Sequence, residues 1–379
     1  MTTETVLSNA RIVLADEVLD GSLLIRDGII ADVSQGAAQT GEDMGGDYLI
    51  PGLVELHTDH LEGHYLPRPK VRWNPLAAVL AHDAQISTAG ITTVFDALRV
   101  GLDEDAELTS AEIRKLGDAI KDGVTNDRLR ADHFLHLRCE VSAPDCLEAF
   151  SLFEDDERVK LASLMDHSPG QRQFVNVETY ASYYQRKMKL TDEDFKKFCD
   201  RRMEESRRYS PTNRAAISAA CQARGIVLAS HDDATVGHVE EAIAQGIRVA
   251  EFPTTHEAAK ASREAGFGVL MGGPNVVRGG SHSGNVSARS LAEQGLLDIL
   301  SSDYIPFSLI QSAFFLGEVV DGISLPRAVA MVSKNPAEAV GLTDRGVITP
   351  GRRADLVRVR VDEHIPVVRT VWREGRRVA

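Results

Sequence analysis

His57-Thr58-Asp59 sets an imidazole and a carboxylate two residues apart at the end of the apolar run Leu53 to His57. That spacing puts both on one face of an extended chain, where they can clasp a metal ion. Glu140 ends the run Phe134 to Glu140, in which His136, Arg138 and Glu140 share a face by the same period of two. So polar a face suits a strand end opening into a site, with a buried Arg138–Glu140 ion pair as the plainer account. His167 in Met165-Asp-His-Ser, His231 in Ala229-Ser-His-Asp-Asp and Asp303 in Ser301-Ser-Asp-Tyr close three further runs. A lone strand-end histidine is ordinarily satisfied by backbone. Five strand ends that each supply a ligand-type residue instead point to one or two divalent ions, Zn²⁺, Mn²⁺ or Fe²⁺, with positions left for water.

A second set of residues could hold an anion. Arg68, Lys70 and Arg72 lie on the proline-stiffened stretch Pro67 to Arg72, just beyond the first of these runs. Val277 to Asn285 carries Arg278, Ser281 and His282 among three glycines, which let backbone N–H groups close on phosphate oxygens. A glycine-rich stretch is also simply a turn, and neither segment has the spacing of a Walker loop. Arg172 and Arg138 add two guanidinium forks suited to phosphate. His60, His64 and His82 are candidates for substrate contact or for supporting a ligand. Asp232 and Asp233 either orient His231 or cap the helix after Ala234.

Such residues need elements to gather them. Eight short apolar runs end in polar or ionisable residues: Leu53 to His57, Thr92 to Asp96, Phe134 to Glu140, Val159 to His167, Gly225 to Asp233, Arg248 to Thr255, Gly268 to Asn275 and Leu297 to Tyr304. Helix-like stretches such as Thr109 to Asp122, Asn213 to Ala223, Val236 to Gln245 and His256 to Glu264 lie between them. This alternation predicts an α/β fold, a (β/α)8 TIM-type barrel over residues 51–342, with the chemistry at the carboxyl ends of the strands. Residues 1–50 and 343–379 read as short strands and turns, and are expected to meet in one small β-sandwich domain. A polar, Tyr- and Lys-rich segment around 174–208 reads as a helical insertion, either a lid or a solvated hairpin.

The chain has 379 residues, 43% hydrophobic and 26% charged, so its size allows a buried core without disulfide staples. Its four cysteines show no CxxC spacing, and reduced, buried thiols in a cytoplasmic protein are expected. No apolar run approaches the ~18 residues of a membrane span, and no export signal is visible. A formal charge of −14 excludes a broad nucleic-acid surface, but not a small anion held by locally gathered cations. A homo-oligomer is compatible with all of this.

Tyr48 to Asp59 (YLIPGLVELHTD) resembles the opening motif of the amidohydrolase superfamily of metal-dependent barrel hydrolases. Lys334-Asn-Pro-Ala and Gly351-Arg-Arg-Ala-Asp-Leu-Val resemble its exit into the small β domain. Asp59 stands where the usual motif has a second histidine. The strand count places Glu140, His167 and His231 one strand earlier than the family pattern. Six segments narrow the resemblance: His57 to Trp73, Met165 to Phe174, Ser230 to Thr235, Glu251 to Thr255, Gly272 to Asn285 and Ile299 to Tyr304. They are similar to the PhnM-type diphosphatases of the carbon–phosphorus lyase pathway. That resemblance implies hydrolysis of a phosphorylated sugar, α-D-ribose 1-methylphosphonate 5-triphosphate, to the 5-phosphate and pyrophosphate. It also implies metal ligation by His57, Asp59, Glu140, His167, His231 and Asp303, with Asp303 accepting the proton of water, and admits Mg²⁺ alongside the triphosphate. Two other readings share the barrel: a cyclic-amide hydrolase or nucleobase deaminase, and a non-catalytic scaffold.

Overall fold

Each of the eight runs forms a strand, and they pair in chain order into one parallel sheet. In a computed structural model describing residues 3–102, 107–172, 191–281 and 284–379, these strands are β6 (Leu53–Thr58), β7 (Ile91–Val100), β8 (Asp132–Glu140), β9 (Val159–Met165), β10 (Val227–His231), β11 (Val249–Glu251), β12 (Gly268–Gly272) and β13 (Ile299–Ser301). Parallel neighbours need a crossover, and helices supply it. The helix Ser110–Thr125 starts at a capping box of Thr109 and Glu112. Val236–Ala244 and His256–Glu264 start at Thr235 and Thr255, whose side chains accept from the backbone three residues on. A buried apolar cluster of Val54, Leu56, Phe95, Leu161, Ala229, Val249, Leu270 and Ile299, joined by Phe134, draws on all eight strands.

The barrel closes between its first and last strands. Asp303 N donates to His57 O at 3.1 Å, and Thr58 bridges Asp303 in parallel. The Glu55 carboxylate accepts from His57 N at 2.6 Å and from Ser302 N at 2.5 Å, so one buried side chain ties the two edges together. Burial pushes that carboxyl up to about 7 against the pull of these hydrogen bonds.

Both chain ends build a second sheet, mostly antiparallel, from β1 (Glu4–Val13), β2 (Val18–Arg26), β3 (Ile29–Gln35), β4 (Glu42–Asp43), β5 (Tyr48–Pro51), β14 (Leu356–Asp362), β15 (Ile365–Arg373) and β16 (Arg376–Arg377). Its order is β16-β15-β14-β5-β1-β2-β3, with β4 beside β1 and an isolated bridge from Ile29 to Arg353. Leu7, Ile12, Leu49, Leu356 and Trp372 fill its core. It is seated on the barrel by charge: Arg345, Arg353 and Arg373 converge on Asp132, at 2.7, 2.8 and 3.3 Å.

The expected helical insertion at 174–208 lies outside the described residues as far as 190. From Asp192 the chain runs as a single helix to Arg224, so the stretch expected as a separate helix at Asn213 is its second half. Pro211 sits inside it without ending it. Tertiary contacts outweigh the lost donor: Ser206 and Ser210 both donate to Asp166 at 2.7 Å, Asn213 donates to Val141 O at 2.9 Å, and Ile217 and Cys221 are buried. All four cysteines are free and buried. Among the described residues no helix is long and apolar enough to cross a membrane.

Candidate functional site

The carboxyl ends of the strands bring His57, Glu140, His167, His231, Asp59 and Asp303 around one mouth. The His57 and His231 rings stack with centroids 5.6 Å apart, and His167 lies edge-on to His231 at 5.5 Å. Phe252 closes the other side, 5.0 Å from His57 and 5.3 Å from His231. Asp232, Phe252 and Asp303 follow β10, β11 and β13 with φ of 58°, 53° and 55°, left-handed conformations that non-glycine residues rarely adopt. These three positions turn the chain out of its strands at the rim of the mouth.

Two groups of donors can hold a metal ion, each with ligand atoms within 4.8 Å of one another: His57, His136 and Glu251, and His167, His231 and Asp232. The second has the hydrogen bonding that ligating histidines require. His167 Nδ1 donates to Glu140 at 2.6 Å, and His231 Nδ1 donates to Glu251 at 3.2 Å. Both rings therefore keep Nε2 for a ligand, and both Nε2 atoms face Asp232, at 3.8 and 3.4 Å. Imidazole and carboxylate donors in this mixture suit a divalent ion of borderline softness, so the residues fit the metal that such barrels use.

In the first group Glu251 also accepts a hydrogen bond from His57 Nδ1, at 3.1 Å. Burial alone would raise the Glu251 carboxyl, but the neighbouring His57 and the hydrogen bonds from His231 and His57 outweigh it and hold the group well below the carboxylate range. Buried beside them, His136 is pushed down to about 3 and stays neutral. It donates from Nδ1 to Leu56 O at 2.9 Å, and its Nε2 meets the Ser163 hydroxyl.

The structure gives the expected ligands unequal positions. Glu140 turns behind His167, accepting from its Nδ1, its backbone N at 3.1 Å and Ser142 at 2.7 Å. Asp59 accepts from Arg138 at 3.1 Å and precedes the helix His60–Tyr65. Burial, then the Asp59 carboxylate, raise Asp303 to about 6. Glu251 and Asp232 were not among the expected ligands. Glu251 lies inside the run Arg248 to Thr255, and Asp232 directly follows His231, the last residue of β10.

Of the expected anion-binding residues, Arg138 reaches the mouth, paired with Asp59. Arg68, Lys70 and Arg278 are exposed, with no ion pair among the described residues. Two placements differ from the expectation. Arg72 is bound to Glu112 at 2.6 Å and Glu107 O at 2.7 Å, outside the mouth. Arg172 is buried between Asp233 and Glu241, where two carboxylates satisfy its fork. Ser281 is partly buried, and His282 lies outside the described residues. In place of the latter cations, Arg99 and Arg202 approach Glu140 at 3.9 and 3.8 Å, and Arg202 donates to Ser142 at 3.1 Å. Nothing distinguishes Arg202 in the sequence from the other charges of its polar helix.

Residues 219–379 match the amidohydrolase family. The chain is 48% identical over 377 residues to the α-D-ribose 1-methylphosphonate 5-triphosphate diphosphatase of Escherichia coli (strain K12), covering 98% of this chain and 100% of that protein. It is 26% identical to an imidazolonepropionase of Deinococcus deserti, over 95% and 92% of the two chains. Among solved structures, the fold is similar to that of N-acetyl-D-glucosamine-6-phosphate deacetylase from Mycobacterium smegmatis, with a TM-score of 0.66, 17% identity and 99% of each chain covered.

Proposed function

Because the chain belongs to the α-D-ribose 1-methylphosphonate 5-triphosphate diphosphatase family of amidohydrolases, we propose that it hydrolyses that triphosphate to the 5-phosphate and pyrophosphate in phosphonate catabolism. The observation that carries this reading is the 48% identity along essentially the whole of both chains. Deaminases and cyclic-amide hydrolases enter only as likenesses of fold or as more distant relatives. We place the reaction in the cytoplasm.

His167, His231 and Asp232 would hold one divalent ion, with His57, His136 and Glu251 as the second donor group. Such an ion supplies a Lewis acid for a phosphoryl oxygen and lowers the pKa of water. Glu140 and Glu251 hold the imidazoles in the tautomer that leaves Nε2 free. Asp303 takes the proton of the attacking water on its carboxylate, poised by a burial that makes proton acceptance easier than for an exposed aspartate. Arg138 exchanges part of its bond to Asp59 for a phosphate oxygen, and Arg68, Lys70 and Arg278 offset the remaining charge. Phe252 shields the imidazoles from bulk water.

Water attacks the α-phosphorus, so that pyrophosphate departs intact. Turnover in ¹⁸O-water, followed by phosphorus NMR, tests both claims. Label is expected in the ribosyl monophosphate, and label in pyrophosphate would refute α-attack. Faster turnover of a cyclic amide or nucleobase than of the triphosphate would overturn the assignment itself.

A further inference from the structure

A cavity of about 220 Å³ opens beside the mouth, at the carboxyl ends of β6 and β7, and has no part in the chemistry above. Arg99 on β7 and Arg138 on β8 are register partners, so their side chains leave the sheet on the same side. Arg138 pairs with Asp59 at 3.1 Å, and Arg99 approaches Glu140 at 3.9 Å while lining the cavity. The helix His60–Tyr65, which follows β6, lines it with Glu62 and Gly63. Burial raises the Glu62 carboxyl, and the charges that act on it are Arg138, Asp59, Arg99 and Glu107. The cavity therefore adjoins the Arg138–Asp59 pair of the mouth.

Its lining suits one end of the triphosphate and not the other. Leu66, Leu102, Leu108 and Ile113 give apolar walls, Arg99 gives one cation, and Glu62 and Glu107 give two carboxylates. Pyrophosphate carries several negative charges and no apolar surface, so two carboxylates would repel it. The far end of the substrate has the opposite make-up. A methylphosphonate esterified to ribose keeps a single negative charge for the guanidinium and a methyl group for the apolar walls. The ribose hydroxyls are donors that a carboxylate accepts.

We propose that this cavity holds the ribosyl methylphosphonate end of the substrate, with Arg99 on the phosphonate oxygens, Glu62 accepting from a ribose hydroxyl and the apolar walls around the methyl group. The inference rests on the triphosphatase reading above. Arg99 and Glu62 bind the part of the substrate that does not react, and so set specificity. A nucleoside triphosphate is disfavoured, because its uncharged base offers Arg99 no oxyanion.

Steady-state kinetics on two substrates tests the pocket: the ribosyl methylphosphonate triphosphate, and ribose 5-triphosphate, which lacks the phosphonate. Arg99→Gln is expected to lower kcat/KM for the first by about 10- to 100-fold and to leave the second within about twofold of wild type. Equal losses on both would overturn the proposal, because disturbance of Glu140 and the histidine it holds would produce them. Gly63→Val is the second variant, since a Cβ there meets nothing and the side chain fills part of the cavity. Its KM for the first substrate should rise by about tenfold or more, with kcat retained. An unchanged KM in this variant would overturn the proposal even if Arg99→Gln does not fold. Wild-type protein that turns over neither triphosphate would refute the assigned reaction itself, an outcome distinct from turnover with equal losses.

Discussion

Glu251 holds two histidines at once, accepting from His57 through one oxygen and His231 through the other. Removing its charge keeps the shape but loosens both rings and their basicity. Glu251→Gln is therefore expected to bind metal about 10- to 100-fold more weakly, measured by dialysis against a chelator series, with activity recovering partly at high metal. Asp303 acts differently, because its carboxylate is proposed to receive a proton rather than to position a ring. Asp303→Asn should lower kcat by about 10²- to 10⁴-fold while KM changes little, as steady-state kinetics will show. A parallel rise in KM would argue that Asp303 holds substrate instead.

At the scale of elements, β7 and β8 are fastened to the helix Pro75–Thr88 by a buried polar chain. His133 lies between Asp96 at 2.7 Å and Asp83 at 3.3 Å, and Asp96 also meets His82. Burial disfavours the His133 cation, but the two carboxylates outweigh it and raise the ring from 6.5 to about 10. A raised folded-state pKa contributes stability in full below the ordinary histidine value, and that contribution is lost as the pH climbs from there through about 10. On the acid side it persists until Asp96, held well below the carboxylate range, takes a proton. Urea denaturation from pH 6 to 10.5 should thus show wild type losing stability steadily. His133→Asn should be less stable at pH 6 by about 3–5 kcal/mol and flatter with pH, because breaking one side of a buried pair strands the other. An identical slope in both proteins would refute the assignment.

At the scale of the molecule, the two sheets meet where β5 passes through Gly52 into β6. A Cβ at Gly52 would collide with the Thr92 side chain and crowd Asp355, one from the barrel and one from the strap that carries the chain back to the β domain. Gly52→Ala is expected to cost about 1–3 kcal/mol, the range for overpacking a filled site, read from the urea midpoint. The Asp132 cluster of three arginines seats the same junction, so the strain would fall on the joint that sets where the first strand, and with it His57, begins.

All eight barrel strands were legible in the sequence, since short apolar runs closed by polar residues follow from period and punctuation alone. The strand ends also singled out His57, His167, His231 and Asp303 as candidates, because five strand ends that each close on a ligand-type residue form a pattern that no one of them makes alone. Glu251 escaped: β11 is three residues long, and nothing local separates a carboxylate that faces two histidines from one that faces water. Nor could spacing reveal that Glu140 stands behind His167, or that Arg72 and Arg172 are taken up by carboxylates 40 and 61 residues away. Residue type and order along the chain settle which strands form and which ends carry chemistry. Which nitrogen faces which oxygen depends on contacts between residues far apart in the chain, and only the closed barrel decides it.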